Sequence, residues 1–265
     1  MKKYLRLSYM DFLVSKEFAA AFLGQLLYLP ITLGIVYVVW GKLYAENPGL
    51  AAASGMGLKE VICYYLVTNI ILFITNKFWY LNYPIWVDIN KGNLSIYLAR
   101  PLDYMAFRFF REGGNLALNS LLGTAGILVV GGVFGLCELS ALKVAVFLLS
   151  LAESIMFVFI LQFFVGTLTF WTDKIFGVRD VFFHVVQFLS GLVLPLAFFP
   201  GWARAALDLL PLQFIYNYPA MVLIDGDVST VLRQQPVAIF WVIAGLLSAR
   251  MFFNFGLKRY VANGG

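Results

Sequence analysis

The sequence has few of the charged residues that keep a protein soluble in water. Only 12% of its 265 residues are Asp, Glu, Lys or Arg, and 62% are hydrophobic; soluble domains average roughly 25% charged and 45–50% apolar residues. The apolar residues form runs of about 20, separated by charged clusters, which is typical of membrane-spanning helices. This composition excludes a soluble domain and predicts one polytopic membrane domain over residues 1–265.

The sequence also lacks the motifs of common catalytic sites. Its one histidine, His184, excludes an H-E-x-x-H metal site and leaves any histidine-based triad dependent on a single residue. Neither a G-x-S-x-G nucleophile elbow nor a G-x-x-x-x-G-K-[ST] phosphate-binding loop occurs. We therefore expect a chain that is not an enzyme by itself and has no catalytic or metal-binding residues.

Only two cysteines occur, Cys63 and Cys137, which are too few for a disulfide framework and lack metal-ligand spacing. The favoured interpretation is two free, buried, small side chains. Both residues fall near the same predicted face of the membrane. A bond between them therefore stays open as the alternative.

Six apolar stretches are long enough to cross a bilayer, which requires about 20 residues in each helix. Before them, residues 1–17 carry apolar side chains at helical spacing, as an interfacial helix would. The predicted spans are 18–42, 60–83, 108–136, 143–171, 180–199 and 236–257. The expected fold class is an all-α polytopic membrane protein with six transmembrane helices.

Lys and Arg indicate which side of the membrane each connection occupies, because cytoplasmic loops carry the excess of these residues. With the N-terminus inside, fourteen basic residues fall in inner segments: Lys2, Lys3, Arg6, Lys16, Lys77, Lys91, Arg100, Arg108, Arg111, Lys174, Arg179, Arg250, Lys258 and Arg259. Five fall in outer segments: Lys42, Lys59, Lys143, Arg204 and Arg233. This distribution predicts that both termini face the cytoplasm, and it leaves no basic stripe for nucleic acid.

Two connections between the spans are more than linkers. The inner loop 84–103 mixes charged residues with Trp86 and Tyr97, a composition that indicates a contact surface. The outer segment 200–235 is rich in apolar residues and is expected to dip into the membrane. Prolines divide that segment into short helices, since proline has no backbone donor to give: Pro200, Pro211 and Pro219.

Glu153 is the intramembrane polar candidate, because it lies within a predicted span, where a carboxylate is costly. Three interpretations are open for it: a proton or cation site, a structural hydrogen bond to another helix, and a protonated acid kept neutral by desolvation. The first role defines an alternative function, an ion-coupled secondary transporter that uses Glu153.

The inner loop shows a resemblance to a known protein family. The segment Asp88-Ile-Asn-Lys-Gly-Asn-Leu-Ser-Ile-Tyr-Leu-Ala-Arg-Pro-Leu102 resembles the signature D-I-x-x-G-x-L-x-x-Y-L-x-R-P-L of a branch of the type-two ATP-binding cassette exporter permeases. The second half of the chain is similar to the same branch at residues 163–172, 188–195, 198–202, 209–211 and 218–219. The resemblance covers nearly the whole chain in order.

The resemblance implies six spans, an N-terminal interfacial helix, a coupling helix after the second span and a re-entrant hairpin after the fifth. It implies a permease subunit of an ABC exporter in a bacterial inner or plasma membrane, moving a hydrophobic or amphipathic substrate out of the cytoplasm. A second permease chain, identical or related, would pair with this one. A dimer of cytoplasmic ATPase subunits would bind ATP and Mg, and this chain would bind no cofactor.

The resemblance also implies two groups of site residues. The residues for coupling to the ATPase, with Gly92 at a bend, are Asp88, Lys91, Gly92, Leu94, Tyr97, Arg100 and Pro101. The residues of an outer re-entrant gate, whose prolines supply fixed bends, are Pro195, Phe199, Pro200, Trp202 and Pro211.

Overall fold

The structure is a computed structural model that describes residues 6–10, 19–137, 139–172, 175–224 and 228–260. Across these ranges the chain is helical and contains no β-strand, which confirms the all-α class for them. Residues 6–10 of the expected interfacial helix are helical, and the rest of residues 1–17 lies outside the described residues.

Twelve α-helices occur between residues 19 and 260 of the described chain. They are α1 Ala19–Glu46, α2 Leu50–Ser54, α3 Leu58–Trp79, α4 Asn82–Asn90, α5 Leu94–Leu98, α6 Tyr104–Glu112, α7 Leu116–Gly126, α8 Ala141–Thr167, α9 Ile175–Leu189, α10 Gly201–Asp208, α11 Asn217–Ile224 and α12 Val228–Leu257. A π-helical turn, Ile127–Gly131, extends α7, and the 3₁₀ turn Leu168–Phe170 extends α8.

Four helical stretches of the described chain are long and apolar enough to cross a membrane. They are Tyr28–Glu46, Leu58–Asn90, Ala141–Phe170 and Leu232–Leu257. A fifth is present if Tyr104–Glu112 and Leu116–Gly131, which meet at 48°, form one bent span. The chain is therefore a multi-pass membrane protein, while the six-span topology stays a prediction.

The predicted spans differ most from the structure at three places. The stretch predicted as one span over 108–136 is broken after Glu112, where two consecutive glycines have low helix propensity. Helix α9 ends at Leu189 instead of 199, because the next residues turn back onto α3. Helix α12 begins at Val228, so Pro236, predicted at its start, lies inside it. A transmembrane helix tolerates such a proline when neighbouring groups satisfy the freed carbonyl.

Helices α3 and α8 form the centre of the bundle, and α1 and α12 lie at its edge. Most side chains of α3 and α8 are buried, whereas α1 and α12 expose wide apolar faces. The hydroxyl of Ser140 caps α8 by accepting a hydrogen bond from the Lys143 backbone N–H at 3.2 Å. Helix α8 packs against α3, α4, α11 and α12. It therefore touches both the inner loop and the 200–235 segment.

Cys63 and Cys137 form a disulfide, so the favoured interpretation of two free cysteines is wrong. After Gly131 the chain reverses, with the backbone N–H of Leu136 donating to the Gly131 carbonyl at 2.7 Å. This reversal brings Cys137 back against α3, with a Cα–Cα distance of 5.8 Å to Cys63, which is within the range of disulfides. The bond fixes the end of α7 to the first turns of α3.

Reducing this disulfide is expected to lower the apparent unfolding temperature of the purified protein. A bond that closes a long loop contributes about 4 kcal/mol in the chain-entropy model, which corresponds to about 5–15 °C for a chain of this size. Thermal unfolding in detergent, with and without dithiothreitol, measures the shift. The Cys63→Ala/Cys137→Ala variant is the control, and it should unfold at the lower temperature in both conditions. Equal unfolding temperatures for the oxidised and reduced wild type would contradict the prediction.

Candidate functional site

The 84–103 loop contains two short helices with a bend between them. Gly92 lies between α4 and α5 with φ +74°, a left-handed conformation that favours glycine. Leu94, at the start of α5, is fully buried and anchors the loop to the protein. The bend predicted at Gly92 is thus present in the backbone, while its role in coupling remains a prediction.

Arg108 on α6 holds the base of this loop through a buried polar cluster. Its guanidinium forms an ion pair with the carboxylate of Asp88 and donates to the Pro84 carbonyl at 3.0 Å. It also donates to the Tyr104 hydroxyl at 3.1 Å, and that hydroxyl donates to Asp88 at 2.6 Å. The carboxylate of Glu112, four residues further along α6, lies 3.3 Å from the Arg108 guanidinium and forms a second ion pair with it. We call Asp88, Tyr104, Arg108 and Glu112 the Arg108 cluster.

The Arg108 cluster changes the interpretation of Asp88. Asp88 and Arg108 are each only 3% exposed, so the carboxylate faces inward, toward Arg108. A buried charge whose partner is removed is strongly destabilising, which makes this pair important for the position of the loop. Arg108 was not among the coupling residues suggested by the resemblance. A signal that could have found it is its spacing of four residues from Glu112, which suits an ion pair on one helix face.

The loop also exposes both apolar and basic side chains. Ile96 is 53% exposed and Leu98 is 44% exposed, although both are large and hydrophobic. Lys91, Arg100 and Pro101 are exposed beside them. Tyr97 is half-buried, with its ring packed against Phe107 at a centroid distance of 4.7 Å. We call Lys91, Ile96, Leu98, Arg100 and Pro101 the loop face.

The loop is fixed to the centre of the bundle through α4 and α8. The side-chain amide of Asn82 donates a hydrogen bond to the side-chain oxygen Oε1 of Gln162, and both residues are fully buried. Four residues further along α8, Gly166 lies directly against Ile85. A Cβ at Gly166 would lie only 2.9 Å from the Ile85 Cβ, so glycine is needed for this close approach. Movement of α4 therefore acts directly on α8.

The 200–235 segment and the residues before it are divided by prolines, as predicted. Pro195 precedes the 3₁₀ turn Leu196–Phe198, and Pro200 precedes α10. Pro211 begins the 3₁₀ turn Pro211–Phe214. Trp202 is 80% exposed, whereas Phe199 is half-buried with its ring 5.3 Å from the ring of Phe188. The five expected gate residues thus lie within one stretch of turns and short helices, and their role as a gate stays a prediction.

The deeper part of this segment packs between α3 and α8. Trp79 at the end of α3 donates through Nε1 to the Tyr216 hydroxyl at 3.0 Å. The Ser154 hydroxyl of α8 donates to the Ile215 carbonyl at 2.6 Å. Phe157 of α8 stacks on Phe214 with ring centroids 5.9 Å apart. Residues 213–216 are buried, and α8 holds them through both polar and aromatic contacts.

Glu153 makes a structural hydrogen bond to another helix, which was one of the interpretations left open for it. Its Oε1 accepts from the side-chain amide of Gln235 on α12. The Gln235 oxygen in turn accepts from the Tyr218 hydroxyl on α11 at 2.7 Å. The other carboxylate oxygen, Oε2, has no hydrogen-bond partner among the described residues. Glu153 therefore links α8 to both later helices.

The described residues contain no group of three or more His, Cys, Asp or Glu that could hold a metal ion. The architecture defines an all-helical, multi-pass membrane protein whose best-organised polar feature is a loop anchored by a buried ion pair. The chain belongs to the ABC-2 family of transporter proteins, since the profile of the ABC-2 family transporter protein matches residues 27–264. No curated protein matches the chain.

Membership of this family confirms the resemblance and gives the chain a general role. It is a permease of an ABC transporter, a type of membrane subunit that is normally non-catalytic. The family implies association with an ATPase partner of the ATP-binding cassette class. It gives no support to the alternative of an ion-coupled transporter that uses Glu153.

Proposed function

We propose that this chain is the permease subunit of an ATP-driven exporter that moves a hydrophobic or amphipathic substrate out of the cytoplasm. Separate cytoplasmic subunits bind ATP and Mg and hydrolyse the nucleotide, and this chain supplies the membrane path. The observation that carries the proposal is the loop face, an exposed apolar and basic surface on a loop whose base is rigidly held. Such a surface is suited to a protein partner rather than to water.

The proposed roles of the loop residues follow from their burial. Lys91, Arg100 and Pro101 contact the ATPase together with Ile96 and Leu98. Asp88 and Leu94 do not contact the partner, because both are buried, and they position the loop instead. Tyr97 supports the loop from its inner side.

In this proposal α8 carries movement of the loop to the outer gate. One end of α8 holds α4 through Gln162 and Gly166, and a middle section holds the 200–235 segment through Ser154. A helix resists bending over this length, so displacement at one contact shifts the other. Closure of the ATPase subunits would thus move the gate formed by Pro195, Phe199, Pro200, Trp202 and Pro211.

The disulfide supports the proposed orientation, with both termini in the cytoplasm of a bacterial cell. Disulfides persist in oxidising compartments and are rare in the cytosol. Cys63 lies near the start of α3, at the opposite end of that helix from the 84–103 loop. An oxidised pair on the outer side therefore leaves the loop facing the cytosol, where an ATPase is available.

The proposed assembly contains a second permease chain, identical or related. Helix α12 exposes a row of large apolar side chains on one side: Phe240, Ile243, Leu247, Met251 and Phe255. Membrane lipid and the second chain would cover the exposed faces of α12 and α1.

The Ile96→Asp/Leu98→Asp variant is expected to lose the ATPase partner. Placing two carboxylates in the apolar centre of an interface leaves them desolvated and unpaired, which typically costs several kcal/mol. The measurement is the amount of ATPase subunit that copurifies with the tagged chain in detergent, expected to fall by about tenfold or more.

The matched control for this experiment is Leu209→Asp, a leucine that is 75% exposed on the 200–235 segment. It should leave copurification unchanged. If the tagged wild type repeatedly purified alone with full, nucleotide-independent transport, the proposed function would be wrong. If the double variant retained the ATPase, the loop face would not be its contact surface.

A further inference from the structure

A pocket of about 310 Å³ lies between α1, α3, α7 and α9, away from the loop and the outer gate. Its lining is largely apolar, with Ile70 and Phe73 of α3 on one wall and Leu122 of α7 on another. Tyr28 and Tyr80, which are 55% and 60% exposed, also line it, so the pocket is open to the surroundings at these residues.

Three side-chain amides face into this apolar pocket. Asn69 and Asn76 are seven residues apart on α3, so they lie on the same helix face about 10 Å apart along its axis. Gln187 of α9 is the third. The Asn69 amide donates to the Tyr65 carbonyl at 2.7 Å. The side chains of Asn76 and Gln187 form no hydrogen bond with any residue that the structure describes.

The side-chain amides of Asn76 and Gln187 require an explanation, because polar groups within a bilayer are costly unless they are hydrogen-bonded. They are spaced along an apolar wall instead of being paired with one another. Among the residues that the structure describes, no charged side chain lines the pocket. A charged ligand group would therefore lose its hydration without gaining a counter-ion, whereas an uncharged hydroxyl, ester or amide would satisfy Asn76 and Gln187.

We propose that this pocket binds a neutral, single-chain amphipathic molecule, with its chain against Ile70 and Phe73 and its uncharged polar group at Asn76 and Gln187. The volume lies at the lower end of pockets that hold drug-sized ligands, so it suits a single chain rather than a whole diacyl lipid. This inference rests on the proposed function, because it takes the bound molecule to be the substrate class of the exporter.

The probe for this site is a monoacylglycerol with a diazirine in its chain, applied to the purified protein in lipid nanodiscs. We expect saturable photolabelling of residues on α3 and α7 at the pocket, which peptide mass spectrometry locates. The fatty acid with the same diazirine chain, which is anionic, should label these peptides about five- to tenfold less.

Gly126→Leu is the variant that fills the pocket. A Cβ at Gly126 meets only the Ile70 Cδ1, at 3.8 Å, so a side chain enters the pocket without a backbone clash. It should reduce labelling about tenfold, and Asn76→Leu/Gln187→Leu about fivefold. Gly34→Leu on α1, where a Cβ has nothing within 4 Å, is the matched control and should label like wild type. Size-exclusion profiles confirm folding, with Gly126→Ala as the milder substitute.

Three results would overturn the inference: non-saturable labelling, as bulk lipid would give; equal labelling by the anionic probe; or labelling unchanged by Gly126→Leu. Because photolabelling needs no ATPase, its failure beside normal copurification of the ATPase rejects the pocket alone. Saturable labelling in a chain that never binds an ATPase keeps the binding site and rejects the exporter assignment.

Discussion

Arg108→Ala is expected to destabilise the protein by about 3–5 kcal/mol, because it leaves the Asp88 carboxylate buried without its counter-ion. It also removes the donor to the Pro84 carbonyl, which holds the loop base to α6, and the donor to the Tyr104 hydroxyl within α6. We expect a lower apparent unfolding temperature in detergent and little ATPase in the copurified fraction. Thermal unfolding and quantified copurification measure both effects on one preparation.

Two further variants separate loss of the ion pair from loss of a positive charge. Arg100→Ala removes an exposed arginine from the same loop and should leave the unfolding temperature unchanged. Asp88→Leu/Arg108→Met removes both charges together, and replacing a buried pair by apolar residues is often neutral or stabilising. The double variant should therefore recover most of the lost stability. An Arg108→Ala protein as stable as wild type would show that the cluster does not anchor the loop.

The sequence predicts the helices of this protein better than it predicts their interruptions. Long apolar runs locate α1, α3 and α8 closely, since a transmembrane helix must satisfy its own backbone. The break between α6 and α7 was missed, although Gly113 and Gly114, two residues of low helix propensity, lie at it. The early end of α9 was also missed, because it depends on Tyr64 and Tyr65, whose hydroxyls donate to carbonyls 127 and 128 residues later.

The candidate site was predicted in part, for a similar reason. The loop was predicted from its composition and its resemblance to the family signature, and that resemblance also implied the bend at Gly92. The pairing of Asp88 with Arg108 depends on how α4 and α6 fold together, which no local pattern encodes. The bond between Cys63 and Cys137 likewise depends on a chain reversal after α7. Contacts between segments that are far apart in the sequence were thus the part of the structure that the sequence did not predict.

One helix connects the three features that the proposal needs. Helix α8 holds the loop at Gln162, the 200–235 segment at Ser154 and α12 at Glu153. These contacts lie within ten residues, from Glu153 to Gln162, so the hydrogen bonds span less than three turns. A short, stiff connection of this kind transmits displacement without requiring the whole bundle to rearrange. Transmission from α4 to α8 is then the step at which coupling of the loop to the bundle is most easily interrupted.

Gly166→Leu is expected to interrupt that step while the protein still inserts and binds its ATPase. The added side chain would overlap Ile85, whose Cβ, Cδ1 and Cγ2 lie within about 3 Å of a Cβ at Gly166, and it would push α4 away from α8. Overpacking costs about 1–3 kcal/mol, so ATP hydrolysis by the assembled complex should fall about tenfold. ATPase activity per copurified ATPase subunit in nanodiscs measures this directly.

The matched control is Gly41→Leu on α1, where a Cβ has no atom within 4 Å, and it should hydrolyse ATP at the wild-type rate. Adding Ile85→Ala to Gly166→Leu removes two of the three overlapping carbon atoms and should restore part of the activity. If Gly166→Leu alone hydrolysed ATP normally, close packing of α4 on α8 would not be the route from the loop to the bundle. Partial restoration by Ile85→Ala would instead show that the contact, and not the leucine itself, limits coupling.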